Sequence, residues 1–434
     1  MQIGITGASG FIGRALAARA AALGWNVRRL PRTPSAGDVA GLDAIVHLAG
    51  ETVDGRWTAR KKAEIERSRV EGTRALVNAL REAEPRPRVL VSASAVGFYG
   101  DRGDEPLFET SAPGNDFLAG VCTKWEAQAR RAEEIGMRVV MLRTGIVLGS
   151  GGALRKMSAP FKFGAGGPLG NGRQFVPWIH LDDIVEMYIR AVEDKTFHGP
   201  VNAVTPDYAT SSRLAFAIGS AMRRPALAPA PGFALRVALG EFAETVLASQ
   251  LVIPAAAQHA GFTWKYPRLE TALQQILNPA APSSVLHSFS AEQIVAAPLE
   301  RVFAFFSDAK NLEAITPPSL RFGMLCDVGT LGAGTVIDYK LGLHGLPMRW
   351  KTLIATWEPP QEFVDVQLHG PYALWEHRHR FEEVAQGVRI SDHVTYAMPL
   401  RPFGELAAGF VRNDVKTIFA YRSGVIAERF RSGN

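Results

Sequence analysis

A glycine-rich segment near the N-terminus restricts the fold more than any other part of the chain. Residues 6–13 read Thr-Gly-Ala-Ser-Gly-Phe-Ile-Gly, after a short β-branched run and before an alanine-rich stretch. Strand, glycine turn and helix in this order are typical of the first βαβ unit of a Rossmann sheet, where the helix N-terminus holds a dinucleotide pyrophosphate. In such a turn Gly7 permits the tight bend, Gly10 admits the pyrophosphate, and Gly13 lets the helix pack closely on the strand.

The residues after the second predicted strand favour NADP(H) over NAD(H). An NAD site places Asp or Glu there to bind the ribose 2′-hydroxyl, but residues 27–33 read Val-Arg-Arg-Leu-Pro-Arg-Thr and contain no acid. A guanidinium can grip a 2′-phosphate with two parallel hydrogen bonds. Arg32 is the first candidate, with Arg28 and Arg29 as surface charges.

Length and composition indicate a multidomain globular protein. A chain of 434 residues is too long for one ordinary core. Its +6 net charge is scattered along the sequence, which is typical of solvated helix faces and not of a nucleic-acid footprint. With only Cys122 and Cys326, no disulfide framework is expected. No leader or membrane-spanning run is evident, so a cytoplasmic location without a membrane partner is expected.

The sequence pattern divides the chain into four segments. Residues 1–200 alternate between strand and helix patterns, which predicts a doubly wound parallel sheet; residues 201–277 are more helical and predict a small cap. Residues 278–284 are rich in Pro, Ala and Ser and predict a linker. In the first segment we predict strands at Gln2–Thr6, Asn26–Leu30, Ala44–Leu48, Arg88–Ser92 and Arg138–Arg143, and helices at Leu76–Glu84 and Lys124–Ile135.

Residues 285–434 follow a different, α+β pattern, which indicates a curved antiparallel sheet wrapped on one helix. We predict strands at Val285–Val295, Gly334–Leu341, Arg349–Glu358, Phe363–Leu368, Trp375–Glu383 and Val388–Tyr396, a helix at Pro298–Ser307, and a last helix from about Gly404 to Phe430.

Further motifs accompany the glycine turn, namely His47–Gly50, Ser92–Gly100, Lys124–Glu126, Leu142–Gly149 and Trp178–Asp183. Residues 1 to about 277 thereby resemble an extended short-chain dehydrogenase/reductase, and more narrowly the epimerase-like subfamily labelled nucleoside-diphosphate-sugar epimerase. The resemblance implies that the helix after the third strand also touches the cofactor. The candidate NADP(H)-binding residues are therefore Thr6, Gly7, Ser9, Gly10, Phe11, Ile12, Gly13, Arg32, Leu48, Ala49, Gly50, Glu64 and Arg69. We interpret His47 as a buried, hydrogen-bonded residue.

The chain departs from this resemblance in its catalytic residues. Short-chain reductases use a Tyr-x-x-x-Lys pair, in which the lysine lowers the phenol pKa, yet none of the eight tyrosines is followed four residues later by lysine. Aligning on Glu126 puts Leu118 and Cys122 at those positions. Ser94 remains a candidate to polarise a carbonyl, with Tyr99 or Lys124 as replacement acids; the alternative is that Ser94 and Tyr99 are structural.

Two functions stay open on these grounds. One is an NADP-dependent oxidoreductase or epimerase-like enzyme acting on a small carbonyl or sugar-like substrate. The other is a non-catalytic NADP(H)-binding redox sensor. The oligomeric state, a homodimer included, is left open.

The last segment resembles the START-like helix-grip superfamily (SRPBCC), through Ile294–Phe303, Phe306–Asp308 and the long final helix. The resemblance implies an apolar cavity for a hydrophobic ligand. Six aromatic residues either line that cavity or fill the core: Trp350, Trp357, Phe363, Trp375, Tyr396 and Phe419. His377 and His379 share one strand face, but no third ligand is evident nearby, so no metal site is predicted.

Overall fold

The structure is a computed structural model that describes residues 1–279, 286–343, 346–398, 404 and 407–431. The chain divides into two compact units, residues 1–284 and 285–434. Most of the predicted linker, residues 280–284, lies outside the described residues.

The first unit contains both strands and helices. The strands are β1 (Gln2–Thr6), β2 (Asn26–Leu30), β3 (Ala44–His47), β4 (Val89–Ala95), β5 (Pro106–Leu107), β6 (Arg138–Thr144), β7 (Ile146–Leu148), β8 (Trp178–His180), β9 (Gly199–Ala203) and β10 (Leu251–Val252). The helices are α1 (Phe11–Ala22), α2 (Ala36–Val39), α3 (Ala59–Glu82), α4 (Phe117–Arg130), α5 (Gly152–Lys162), α6 (Leu181–Glu193), α7 (Ser211–Met222), α8 (Gly232–Leu239), α9 (Phe242–Leu247), α10 (Ala255–His259) and α11 (Leu269–Leu277).

A six-stranded parallel sheet in the order β2-β1-β3-β4-β6-β9 forms the centre of this unit. One face packs on α1 and α6 through residues such as Leu16 and Ile184. The other face packs on α3 and α4 through residues such as Leu76 and Ala129. The predicted doubly wound α/β fold is confirmed. The strand order reverses between β1 and β3, where sheets of this kind bind ligands at their carboxyl ends.

The predicted strands match the observed ones within a few residues, but the helices begin earlier than predicted. Helix α3 starts at Ala59, because the Thr58 hydroxyl caps it by accepting from the Lys61 amide at 3.1 Å. Helix α4 starts at Phe117, capped in the same way by Asp116. Thr58 and Asp116 are capping residues outside the stretches from which the helices were predicted, so the start of each helix was missed.

The cap region closes onto the sheet through long-range contacts. Strand β10 pairs with β5, and α11 packs on α7. Arg213 of α7 forms buried ion pairs with Asp207 and Glu270, which tie the two helices to the loop that follows β9.

The second unit is an antiparallel sheet gripping a long helix. Its elements are β11 (His287–Val295), α12 (Leu299–Phe306), α13 (Asn311–Ala314), β12 (Gly323–Met324), β13 (Val336–Leu343), β14 (Leu346–Glu358), β15 (Glu362–His369), β16 (Leu374–Val384), β17 (Gly387–Ala397) and α14 (Ala408–Arg431). The sheet order is β11-β17-β16-β15-β14-β13-β12. Helix α14 packs on it through Val415 and Phe419. The predicted helix-grip fold is confirmed.

A cavity of about 180 Å³ lies between this sheet and α14. Of the six aromatic candidates, Trp350, Phe363, Trp375 and Phe419 are among the described residues that line it, whereas Trp357 and Tyr396 are not. An engineered apolar cavity of about 150 Å³ holds a benzene molecule, so the space suits a ligand with roughly one ring. Within the described residues, no helix is long and apolar enough to cross a membrane.

Candidate functional site

The β1–α1 turn is as tight as its glycines predict. Gly7 adopts φ +69°, and a Cβ there would lie 2.9 Å from the backbone of Leu48 and Ala49. A Cβ on Gly13 would lie 2.3 Å from the Gly7 carbonyl oxygen. Either side chain would separate the helix from the sheet. Gly10 differs, because a Cβ there would meet only the Gly7 oxygen, at 3.2 Å, so its other side is open to a ligand.

The amides at the start of α1 face this open side. The first N–H groups of a helix have no carbonyl partner within it, here those of Phe11, Ile12 and Gly13. Ser9 and Gly10 are exposed, and the Phe11 ring packs against the glycines at positions 149, 151 and 152. A bare helix N-terminus beside an open glycine suits a pyrophosphate.

Thr6 and His47 connect the ends of β1 and β3. The Thr6 hydroxyl lies 2.7 Å from His47 Nδ1 and accepts from the amides of Leu48 and Ala49. The other His47 nitrogen lies 3.0 Å from the Thr73 hydroxyl. Burial lowers the pKa of His47 to about 4, so the imidazole is neutral near pH 7. As predicted, His47 is a buried structural residue.

Arg28 on β2 and Arg32 just after it differ in their surroundings. Arg28 donates to the carbonyls of Asp38 and Ala40 at the end of α2. Arg32 is exposed just beyond β2. The pKa of Glu51 is lowered, chiefly by its hydrogen bond from Lys61 and to a smaller extent by the charge of Arg32. Arg32 therefore lies near the loop that follows β3.

Two of the candidates on α3 contact protein groups. Arg69 donates to the carbonyls of Glu51 and Ile65 at 2.9 and 3.2 Å, and a Cβ on Gly50 would lie 3.4 Å from its guanidinium carbon. Arg69 thus supports the backbone beyond β3. Glu64 pairs with Arg60 at 2.9 Å on the helix surface.

At the end of β4, the candidate catalytic groups belong to a buried network that sequence reasoning missed. Arg143 of β6 forms two 2.8 Å hydrogen bonds to the Glu126 carboxylate. Ser94 donates to the same carboxylate at 2.7 Å. Arg143 also donates to the Tyr99 hydroxyl at 3.0 Å, and that hydroxyl donates to Asn202 at 2.6 Å. The available signal was Arg143 itself, an arginine directly after the four apolar residues 139–142 of β6.

This network occupies the polar atoms of Ser94 and Tyr99. Burial raises the pKa of Tyr99 to about 12, opposite to the lowering that a reductase lysine causes. Lys124 pairs with Glu66 at 2.6 Å on the exposed side of α4. Burial likewise raises the pKa of the Cys122 thiol to about 12. Ser94 and Tyr99 are thus brought together through Glu126 and Arg143, and Lys124 does not join them.

The second unit contains a polar cluster that the sequence did not predict. The prediction that no third ligand lies near His377 and His379 is wrong. Asp365 lies 3.1 Å from His379 and 3.6 Å from His377. Asp392 contacts both rings from the other side. Burial alone would raise the pKa of Asp392, but the charge of Arg422 and the imidazole hydrogen bonds hold it well below its ordinary value.

Comparisons with known proteins divide the chain in the same way. The family model described as NAD dependent epimerase/dehydratase family matches residues 3–203. A domain of unknown function (DUF1731) matches residues 230–276, and the family described as polyketide cyclase / dehydrase and lipid transport matches residues 295–420.

Individual relatives match the first unit. The chain is 38% identical over 302 residues to the chloroplastic SDR39U1 homolog of Arabidopsis thaliana, described as an epimerase family protein, which covers 64% of this chain and 87% of that protein. It is similar to the crystal structure of human epimerase family protein SDR39U1 with NADPH, with 34% identity and a TM-score of 0.61 over 64% of this chain and 99% of that one. It also resembles a nucleoside-diphosphate sugar epimerase structure from Corynebacterium glutamicum, with 33% identity and a TM-score of 0.55 over 64% of this chain and 58% of that one.

Proposed function

The chain belongs to the epimerase family that includes the SDR39U1 proteins, and on that basis we propose that its first unit binds NADP(H). The observation that carries the proposal is the β1–α1 turn, where Gly7 and Gly13 bring helix and strand together and Gly10 leaves the helix N-terminus open. The human relative crystallised with NADPH supports the choice of nucleotide.

Specific groups would hold each part of the nucleotide. The amides of Phe11, Ile12 and Gly13 would bind the pyrophosphate, since the positive end of the helix dipole lies behind them. Arg32 would bind the 2′-phosphate, because no carboxylate after β2 repels it. Leu48, Ala49 and Gly50 would pass beside the adenosine, with Arg69 supporting their backbone. When bound, NADPH supplies a hydride.

Of the two open roles, the geometry favours a binding protein that senses NADP(H). Leu118 and Cys122 stand where a reductase has its tyrosine and lysine, and neither exchanges a proton at pH 7. Tyr99 is held by Arg143 and Asn202, and its raised pKa makes it a poor acid. No proton-transfer group of the reductase type is therefore identified among the described residues near β4.

One observation supports the second role, that of an oxidoreductase or epimerase-like enzyme acting on a small carbonyl or sugar-like substrate. Ser94 lies at the carboxyl end of a central strand, where α/β sheets bind their ligands. Its hydroxyl is 2.7 Å from the Glu126 carboxylate, which could accept the serine proton while Ser94 contacts a reacting oxygen.

Nucleotide titration tests the shared part of the proposal. Calorimetry with NADPH and NADH would compare the wild type with Arg32→Ala and with the control Arg29→Ala. We expect Arg32→Ala to weaken NADPH binding about 10- to 100-fold, the usual effect of losing charge-assisted hydrogen bonds, and to change NADH binding less than about threefold by the same reasoning. Equal binding of the two nucleotides by the wild type would refute the choice of NADP(H).

Hydride transfer distinguishes the two roles. The wild type and Ser94→Ala would be incubated with NADPH and a panel of small aldehydes, ketones and sugar nucleotides, with oxidation followed by absorbance. A sensor binds NADPH and leaves it unoxidised with every substrate. Turnover that Ser94→Ala abolishes, while NADPH binding is kept, would establish the enzyme.

A further inference from the structure

Three strands of the second unit bring four titratable side chains to one face of the sheet. In the strand register His377 of β16 is paired with Asp365 of β15, and His379 is paired with Asp392 of β17. The two imidazoles lie side by side, with ring centroids 3.7 Å apart. Asp365, His377 and His379 line the cavity between the sheet and α14.

Asp392 orients both rings. Its carboxylate lies 2.8 Å from His377 Nε2 and 2.9 Å from His379 Nδ1. Because an ionised carboxylate only accepts hydrogen bonds, His377 donates its Nε2–H to Asp392. Arg422, which can only donate, lies 3.4 Å from His379 Nδ1, so this nitrogen accepts from the guanidinium.

The remaining nitrogens of the two rings are directed at Asp365. His379 Nε2 and His377 Nδ1 lie 3.1 and 3.6 Å from the same oxygen of Asp365. His379 Nε2 donates to Asp365, and a metal ion held by these three atoms would take the place of that proton, because a metal-binding imidazole nitrogen is unprotonated. All three belong to residues that line the cavity.

The spacing matches a metal ion better than a proton. Zinc holds nitrogen and oxygen ligands at about 2.0–2.2 Å in tetrahedral geometry, which separates two ligands of one ion by roughly 3.4 Å. The 3.1 and 3.6 Å separations lie on either side of that value. A proton shared by Asp365 and His379 would serve one contact and leave His377 Nδ1 beyond hydrogen-bonding distance of the carboxylate.

We propose that Asp365, His377 and His379 bind a divalent transition-metal cation of the zinc type, and that Asp392 orients the two imidazoles. Two histidines and one carboxylate are a donor set that zinc and iron(II) accept, with further coordination positions left open. Histidine ligands commonly donate their other ring N–H to a carboxylate, as His377 does to Asp392; His379 Nδ1 lies 2.9 Å from the same carboxylate. The open positions face the cavity, where an oxygen of a bound small molecule would complete the coordination.

Metal titration of the full chain, free of added histidine tags and stripped with a chelator, tests the proposal. Calorimetry with Zn²⁺ would be paired with the visible spectrum of added Co²⁺. We expect one saturable equivalent per chain and the absorbance of Co²⁺ bound by nitrogen and oxygen. Asp365→Asn should weaken Zn²⁺ binding at least about 100-fold, and Asp392→Asn about 10- to 100-fold, as is typical for the partners of metal ligands.

His393→Gln is the matched control, because His393 lies next to Asp392 on β17 but is exposed and contacts Ser290. It should bind Zn²⁺ within about twofold of the wild type, since it removes no proposed ligand. Hydrogen exchange of the β16 amides would verify that each variant is folded. If a variant does not fold, His379→Gln, which also removes a proposed ligand, would be tested in its place. The proposal is overturned if the wild type binds no saturable equivalent of Zn²⁺, which would mean that a proton alone links Asp365 and His379. It is also overturned if folded Asp365→Asn binds Zn²⁺ like the wild type.

Discussion

Removing one partner of the buried Glu126–Arg143 pair should destabilise the first unit far more than removing both. Glu126 is 4% and Arg143 2% exposed. In Glu126→Leu the buried Arg143 guanidinium keeps only neutral hydrogen-bond acceptors. In Arg143→Leu the buried Glu126 carboxylate keeps only the hydrogen bond from Ser94. Breaking a buried ion pair in this way costs about 3–5 kcal/mol, because an uncompensated charge remains.

The double variant keeps no such charge. It still loses the hydrogen bonds from Arg143 to the Tyr99 hydroxyl and the Glu109 carbonyl, and the stacking of the guanidinium 3.5 Å over Phe98. At about 1 kcal/mol for each contact, it should cost about 2–3 kcal/mol. The double variant should therefore be more stable than either single one.

Hydrogen exchange followed by mass spectrometry suits this measurement, because amides of β4 and β6 report on the first unit alone, and those of β14–β17 serve as an internal reference. The surface pair Arg81–Glu134 is the control: its atoms are 3.1 Å apart, and both side chains are about half exposed. Glu134→Leu should cost less than about 0.5 kcal/mol. A double variant as unstable as the two single changes added together would refute the reasoning.

Three further predictions follow from the same unit. Gly13→Ala should abolish NADPH binding in calorimetry and lower the melting temperature, because its Cβ meets a backbone oxygen at 2.3 Å, whereas Gly72→Ala, in open space on α3, should retain binding and the melting temperature. Because the folded pKa of His47 is about 4 and the unfolded value is about 6.5, the unfolded state binds more protons between them; stability, full above pH ~6.5, should fall by about 3 kcal/mol on acidification to pH ~4. Exchange of β1 amides would show this fall, and His47→Asn would flatten it. In the native protein at neutral pH, iodoacetamide should leave Cys122 unmodified and label it after urea unfolding, since burial raises its pKa to about 12; labelling of Cys122 in the native state, read by peptide mass spectrometry, would contradict this.

Local patterns were enough to predict most strands of the two main sheets, the glycine turn and both fold classes, but not the edge strands β9 and β12. The turn was readable because Gly7, Gly10 and Gly13 lie within seven residues, directly between a strand pattern and a helix pattern. The buried network was not, since Glu126 and Arg143 meet only when α4 packs beside β6. The histidine–aspartate cluster was missed for a related reason: Asp365 and Asp392 reach His377 and His379 through strand register, which a single sequence does not specify.

The pairing of β10 with β5 has a consequence for synthesis. Residues 251–252 complete a ribbon begun at residues 106–107, and the backbone amides of Lys265 and Tyr266 donate to the Asp183 carboxylate. A nascent chain therefore cannot finish the nucleotide-binding unit until the cap has left the ribosome, although all six strands of its central sheet have emerged by then. In the second unit the first strand, β11, pairs with β17, so its sheet cannot be completed until β17 has been synthesised. Truncation between residues 204 and 265 would leave a sheet with an open flank and a buried carboxylate without its donors, a species suited to aggregation and proteolysis.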